Sequence, residues 1–425
     1  MTEQKMLMYH DFKNQLAIRF LDTLNKIVTT KDLASIKSEL NLLFGLKKKI
    51  DIYFTKNLKS DHIDYDLNLL YEFTNSSFFS SLFKEDNKLF FKLTFLHNYF
   101  KSYKIESHLH YQTAFSPLFI YDYLEFDFQL PDSFKKLTTY TNEFQHIIKH
   151  KNRSKFYHFF KIKEHEIGKR EIFDFKANLL DYLVRLIKNP YFFEKSLRYI
   201  IKKKSLENVG TLYLRMDFTK LDYFVLKKIK KESCLTLKYV QYSAKSDLKA
   251  LLNNKKKLNI IDGVEIKKNR LLFNYTKLLD SFEQSTFMHA GECPVFVDIR
   301  LPSTLHKFKS LAEIVFALRY SRLSYIGHGN ALSFSFRNKS VNKFYSLLVR
   351  WILLQIKKRN ICIEVNLMSN YKTFNIPFKS SVINMLIENN VCYNLNTDDP
   401  VMFDSTLLDE YYLQHCILNN YYPMF

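Results

Sequence analysis

Read backwards from its C-terminus, the chain alternates short runs rich in β-branched and aromatic residues with longer runs whose apolar positions recur every three to four residues. Residues 391–396 predict a strand and 406–418 the helix after it. Upstream, 361–367 pairs in the same way with a helix over 379–389, and 323–326 with a long amphipathic helix over 341–358 that contains the only tryptophan, Trp351. A strand near 285–288 precedes a helix around 310–320. Four βα units in a row imply a parallel sheet. The rhythm continues upstream through strands at 104–107, 211–216, 234–242 and 258–262, each followed by a helical stretch. Eight strands in this order predict an α/β fold, a (β/α)₈ barrel running from residue 104 to 425. Residues 1–103 lie outside it and read as an extension of amphipathic helices. Residues 131–204 read as a helical insertion between the first two strands, placed to form a wall or lid of an active site.

Composition narrows the chemistry. Of the 425 residues, 47% are hydrophobic and 16% aromatic, ample for a packed core and unlike a disordered tail. Only seven are glycine, and neither GxGxxG nor GxxxxGKS/T occurs, which excludes sites that cradle phosphates on a glycine-rich backbone. The formal net charge of +21 would draw nucleic acid, anionic lipid or phosphorylated substrates. A plainer origin lies in the codon bias that enriches Lys, Asn, Phe, Tyr and Ile while depleting Gly, Pro and Ala. Runs such as Lys202-Lys203-Lys204 and Lys255-Lys256-Lys257 suit helix ends and solvated faces, and no nucleic-acid module is visible, so nucleic acid is not an expected partner.

The five cysteines (Cys234, Cys293, Cys362, Cys392, Cys416) are odd in number with no CxxC pair, which suits a reducing compartment. The first 30 residues carry charges throughout and lack the apolar centre of a signal peptide, and no apolar run is long enough to span a membrane. A cytoplasmic protein is expected.

The polar residues at the predicted strand ends carry the chemistry, because a barrel of this kind builds its site at the C-terminal ends of its strands. Glu106-Ser107-His108-Leu109-His110 follows the first strand, His289-Ala290-Gly291-Glu292 the fifth, Ile326-Gly327-His328-Gly329 the sixth and Asn396-Thr397-Asp398-Asp399-Pro400 the eighth. Each has a plain reading when taken singly: a packed histidine, a cap neighbour, an Asp-Asp-Pro turn. Taken together they converge. Alternation along a strand points His108 and His110 the same way, so that two imidazoles grip one ion, and His289 and Asp398 arrive from the fifth and eighth strands. Three imidazoles and a carboxylate suit Zn²⁺ with room for a water, whose pKa such an ion lowers from about 15.7 to about 7. His328 and Glu292 remain as an acid/base pair.

In order and placement these motifs resemble the adenosine deaminase family of the amidohydrolase superfamily. The tail from Asn396 to Phe403, followed by Asp409-Glu410-Tyr411, is most similar to the adenosine deaminase-related growth factor branch. Tyr213-Leu214-Arg215 and Glu364-Val365-Asn366-Leu367-Met368-Ser369-Asn370 extend the likeness to the second and seventh strands. The resemblance implies hydrolytic deamination at C6 of an adenine ring, with one Zn²⁺ held by His108, His110, His289 and Asp398. It further implies His328 on the water, Glu292 protonating ring N1, Asp399 at N7 and Gly291 giving the purine room. Gly263 and Glu265 stand where the family's fourth-strand Gly and Glu contact substrate. Gln112 stands where nucleoside deaminases carry an Asp that holds the ribose. That departure keeps open a deaminase of AMP or another adenine nucleotide beside the leading reading, adenosine or deoxyadenosine. A growth-factor-like binding module that acts without turnover is the third reading. The resemblance also implies a homodimer through the N-terminal helices; the plain alternative is a helical layer over the barrel.

Overall fold

The computed structural model describes residues 16–421, apart from 58–64, 83–88, 218–222, 243–257, 267–282, 293–303 and the single or short positions 17, 21, 28, 30–32 and 337. Among the described residues, eight strands lie in one parallel sheet in chain order: β1 Lys104–His110, β2 Val209–Met216, β3 Thr236–Tyr242, β4 Gly263–Ile266, β5 Ser285–Ala290, β6 Leu323–His328, β7 Cys362–Val365 and β8 Tyr393–Leu395. Beyond β8 the chain bridges back to β1, where Leu109 pairs with Asp398 in parallel. At this seam the His110 N–H donates to the Asp398 carbonyl and the Asp398 N–H to the His108 carbonyl, both at 3.1 Å. Asn396 Oδ1 adds a staple, accepting from the N–H groups of Ser107 (2.6 Å) and His108 (3.0 Å). The sheet is thereby a (β/α)₈ barrel.

A charged cluster locks the seam from beneath. Lys204 Nζ, wholly buried at the end of the insertion, reaches Glu106 Oε2 at 3.0 Å and Glu207 Oε2 at 2.8 Å. Glu106 in turn accepts the Thr397 N–H (3.1 Å) and hydroxyl, and Glu207 accepts the Leu407 N–H at 2.9 Å. Buried carboxylates are tolerated only when so partnered.

Amphipathic helices cover the barrel as their spacing predicts. Helix Lys339–Lys358 buries Tyr345, Val349, Ile352, Leu353 and Ile356, one stripe at helical period, and leaves Trp351 half exposed. The insertion folds into helices that include Thr138–Lys149, Arg153–Phe159, Arg170–Leu186 and Pro190–Leu206. Arg170–Leu186 buries Phe175, Leu179, Leu180 and Leu183 in the same core as the strands.

Several boundaries differ from the sequence reading. The fourth strand is expected at 258–262 but forms at Gly263–Ile266. Leu258, Ile260 and Ile261 instead pack a turn, in which the Ile261 N–H returns to the Leu258 carbonyl. An apolar run alone does not separate a strand from a buried turn. The helix expected at 379–389 shrinks to Ile383–Glu388 behind a 3₁₀ turn at Phe378–Ser380. Strands β1, β5 and β6 run two residues or more beyond their expected ends, so His108, His110, His289 and His328 belong to the strands themselves.

The helices before β1 share a second core with the last helix, Leu407–Leu418, where Phe78, Phe79, Phe95 and Tyr99 meet Leu408, Tyr412 and Cys416. Phe78 and Tyr412 lie edge to face with centroids 4.9 Å apart, and the Phe78 N–H donates to Asp409 Oδ1 at 2.6 Å. The extension thus packs its helices on one another and on the last helix of the barrel, while Ile18, Leu42, Phe44 and Ile52 stay exposed. Among the described residues no helix is long and apolar enough to cross a membrane.

Candidate active site

Strand geometry delivers five polar side chains to the C-terminal mouth. His108 and His110 share a face of β1, His289 is the penultimate residue of β5, and His328 ends β6. Asp398 follows β8 and is carried inward by its backbone bonds to β1. His328 and Asp398 have φ of 67° and 62°, left-handed values that cost L-residues energy and gather at functional sites. Gly327 makes the space required, since a Cβ there would stand 3.0 Å from His108 Cε1.

Ligand atoms of His108, His289, His328 and Asp398 all lie within 4.8 Å of one another, and those of His110, Asp398 and Asp399 form an overlapping group. The two oxygens of Asp398 face different partners. Oδ1 stands 3.3 Å from Nε2 of both His108 and His110, whereas Oδ2 stands 3.8 Å from His328 Nε2 and accepts the Ser369 hydroxyl at 2.7 Å. The His289 ring lies 4.6 Å from that of His108 and 5.8 Å from that of His110.

Buried partners set each imidazole. Glu364 Oε2 faces His108 Nδ1 at 3.1 Å, and Glu265 Oε1 contacts His289 Nδ1. In both rings this leaves Nε2 for the centre of the mouth. Carboxylate-backed imidazoles converging with a carboxylate make a donor set that fits a metal ion. His328 Nδ1 meets Asn370 Oδ1 at 3.0 Å, an acceptor that selects the Nδ1–H tautomer and frees Nε2. Burial outweighs Glu292 and Asp398 and pushes His328 down, so it stays neutral. Burial likewise outweighs Glu265 at His289, which falls to about 4. At His108 burial and the Arg215 charge oppose protonation, yet Asp398 and Glu364 prevail and lift it to about 9. Burial and the neighbouring Asp398 charge raise Asp399 to about 6, against a hydrogen bond from the Thr113 hydroxyl at 2.6 Å.

The remaining predicted residues separate into two groups. Glu292 lies at the mouth, 4.0 Å from His328 Nε2, with its Oε1 held by Arg170 Nη1 at 2.8 Å. Gln112, in the helical turn after β1, donates to Asp181 Oδ1 at 3.2 Å. Gly291 has φ of 67°, and a Cβ there would meet Ile314 Cδ1 at 2.6 Å, so the close neighbour that requires glycine is a helix side chain. Gly263 and Glu265 correct the expectation of substrate contact. Gly263 opens β4 opposite Ser285, four residues or ~13 Å below His289 at about 3.3 Å per strand residue, under the Phe287 ring. Glu265 is wholly buried between His289 and Arg215, so its carboxylate orients an imidazole instead of meeting substrate.

Several residues with clear work at the site went unassigned from sequence: Arg170, Arg215, Glu364, Ser369, Asn370 and Thr113. The signal for four of them was present, because Arg215 falls in the family-like segment of the second strand and Glu364, Ser369 and Asn370 in that of the seventh. Glu410, in another, accepts the Leu367 and Met368 N–H groups at 2.7 and 3.1 Å and so caps the helix that carries Ser369 and Asn370.

The adenosine deaminase family profile matches residues 305–419, a stretch that includes His328, Glu364, Asp398 and Asp399. No curated protein matches the chain in sequence. Among solved structures, an adenine deaminase from Arthrobacter aurescens is similar at 13% identity and TM-score 0.50, over 74% of this chain and 88% of that one. An amidohydrolase from Burkholderia ambifaria with bound Zn is similar at 12% identity and TM-score 0.50, over 75% and 81%. The N6-methyl-AMP deaminase of Arabidopsis thaliana follows at 16% identity and TM-score 0.47, over 75% and 87%. At such identities the likeness is one of fold.

Proposed function

We propose that the protein is a zinc-dependent hydrolase of the adenosine deaminase family, which removes the 6-amino group of adenosine or deoxyadenosine to give inosine or deoxyinosine and ammonia. The observation that carries this reading is the convergence of His108, His110, His289 and Asp398 with Glu292, His328 and Asp399 at one barrel mouth. The first four would hold the ion, His108 and His110 on the Asp398 oxygen they share. A zinc ion there supplies a Lewis acid that makes water nucleophilic at neutral pH.

The chain's own groups handle the protons. His328 Nε2, neutral and aimed into the mouth, takes a proton from the attacking water. Glu292, released from Arg170 as the purine enters and protonated, gives its proton to ring N1 and regains one from the C6 hydroxyl as the C–N bond breaks. His328 passes the water's proton to the departing amine, so that ammonia leaves. Asp399, raised toward neutrality, places the ring through N7. Gln112, which donates to an Asp181 already paired with Arg185 at 2.6 Å, is the residue that would face the sugar.

The test is steady-state turnover of zinc-loaded protein on adenosine, deoxyadenosine and AMP, with inosine and ammonia as readouts. Adenosine is expected to be the best substrate, and Glu292→Gln to abolish turnover while leaving metal content unchanged. No product from any of the three would overturn the proposal, and a preference for AMP would transfer it to a nucleotide.

A further inference from the structure

The floor of the site holds a cation that the proposed reaction does not use. Arg215 projects from β2 into the barrel interior and is wholly buried. Its Nη1 donates to Glu265 Oε1 at 2.7 Å, and its Nη2 contacts Glu364 Oε2 and donates to the Ser107 carbonyl at 3.2 Å. Nη1 also stands 3.3 Å from His108 Nε2, and the guanidinium lies over the Phe287 ring at 5.4 Å from its centroid.

The two carboxylates it grips are the two that back the imidazoles. Glu265 goes on to His289 Nδ1 and Glu364 to His108 Nδ1. A continuous arc therefore runs His289, Glu265, Arg215, Glu364, His108 beneath the mouth. Barrel interiors are ordinarily filled by branched apolar side chains, and a buried ionic group is commonly no more stabilising than an apolar one of like volume. An arginine here needs a reason beyond packing. Its planar fork offers one, because rigid donors fix two carboxylates at a set separation and angle, which a flexible lysine does not.

Resting on the metal-dependent reading above, we infer that Arg215 is a positioning residue for the metal: its guanidinium sets the two carboxylates that turn His108 and His289 so that both present Nε2 to the ion. Loss of the fork frees both carboxylates to rotate, and the rings lose their common aim. Partners behind metal-binding histidines are typically worth about 10–100-fold in metal affinity.

The experiment compares full-length wild type, Arg215→Lys and Arg215→Gln for equilibrium zinc affinity against a chromophoric chelator and for the visible absorption of the Co²⁺-substituted protein. Arg215→Lys keeps the charge in the core and loses the fork, so it is expected to fold and to bind zinc about tenfold more weakly, with an altered cobalt band. Arg215→Gln is expected to lose up to about 100-fold. For a variant with a weakened fold, the rise in melting temperature with added zinc reports the same affinity. A purely structural arginine would lower the melting temperature and leave affinity and cobalt band as in wild type, and that result overturns the inference. The two proposals fail separately. Wild type that neither binds metal nor deaminates refutes the function, whereas wild type that binds metal no better than Arg215→Lys refutes only the role of Arg215.

Discussion

The barrel seam can be tested at Lys204. Replacing it by Met removes the one ammonium lying 3.0 Å from Glu106 and 2.8 Å from Glu207, two carboxylates with almost no exposure of their own. At an effective dielectric near 20, each contact at about 3 Å is worth roughly 5–6 kcal/mol before solvation is counted. The ammonium's own desolvation returns several kcal/mol of that sum, and breaking one side of a buried pair costs ~3–5 kcal/mol in practice. Against a total stability of roughly 5–15 kcal/mol the loss is large. Urea unfolding of Lys204→Met should therefore show a midpoint far below wild type at an unchanged slope. Adding Glu106→Gln and Glu207→Gln should restore at least half of the loss, because the uncompensated charges are then gone. Zinc retention should fall in the single variant as well, since Glu106 holds Thr397 beside Asp398. A destabilisation below about 1 kcal/mol, or no recovery in the triple variant, would refute the argument that this cluster closes the barrel.

Asn370→Ala removes the acceptor that fixes the His328 tautomer; deamination kcat should fall at least about tenfold with KM nearly unchanged, measured at steady state. Burial raises Asp409 from 3.8 to about 6, against hydrogen bonds from Phe78 and Thr406. A carboxyl with a raised folded pKa stabilises fully below its unfolded value and loses that contribution as pH rises through about 6. The advantage of wild type over Asp409→Asn should thus shrink by up to ~3 kcal/mol between pH 4 and pH 7, as read by urea unfolding at each pH. Cys362 and Cys392 bring their Sγ atoms to 2.9 Å, and contact with the buried Cys362 lowers the more exposed Cys392 to about 7. Iodoacetamide at pH 7 should label Cys392 before Cys234, Cys362 and Cys416, as peptide mapping would show.

The periodicity of the chain exposed most of the architecture. Eight βα repeats were legible because parallel strands buried on both faces read as apolar runs and their covering helices carry a clean stripe. The register of β4 was not legible. Leu258, Ile260 and Ile261 are as apolar as a strand, and only the pairing of Gly263 with Val240 and Ser285 decides where the ladder starts. A fourth strand ending at 262 would put Gly263 and Glu265 at the mouth, whereas one lies near the floor and the other behind His289.

The cysteines show the same limit, since Cys362 and Cys392 are 30 positions apart and meet only because β7 and β8 are neighbours. The N-terminal helices were recognisable as amphipathic. Their partner was not, because an apolar stripe states that something must cover it and leaves open what does; here the helices cover one another and the last helix of the barrel.

By itself, then, the sequence determined which residue types stand at the strand ends, and with them the candidate donors His108, His110, His289 and Asp398 and the acid/base candidates Glu292 and His328. Local alternation is enough for this, because it depends only on neighbours along one strand. What turns those histidines and what lies under them was decided by tertiary structure. Glu364, Asn370, Glu265 and Arg215 act across strands far apart in the chain, and a side chain's partner across a closed barrel depends on register and shear that no local pattern encodes.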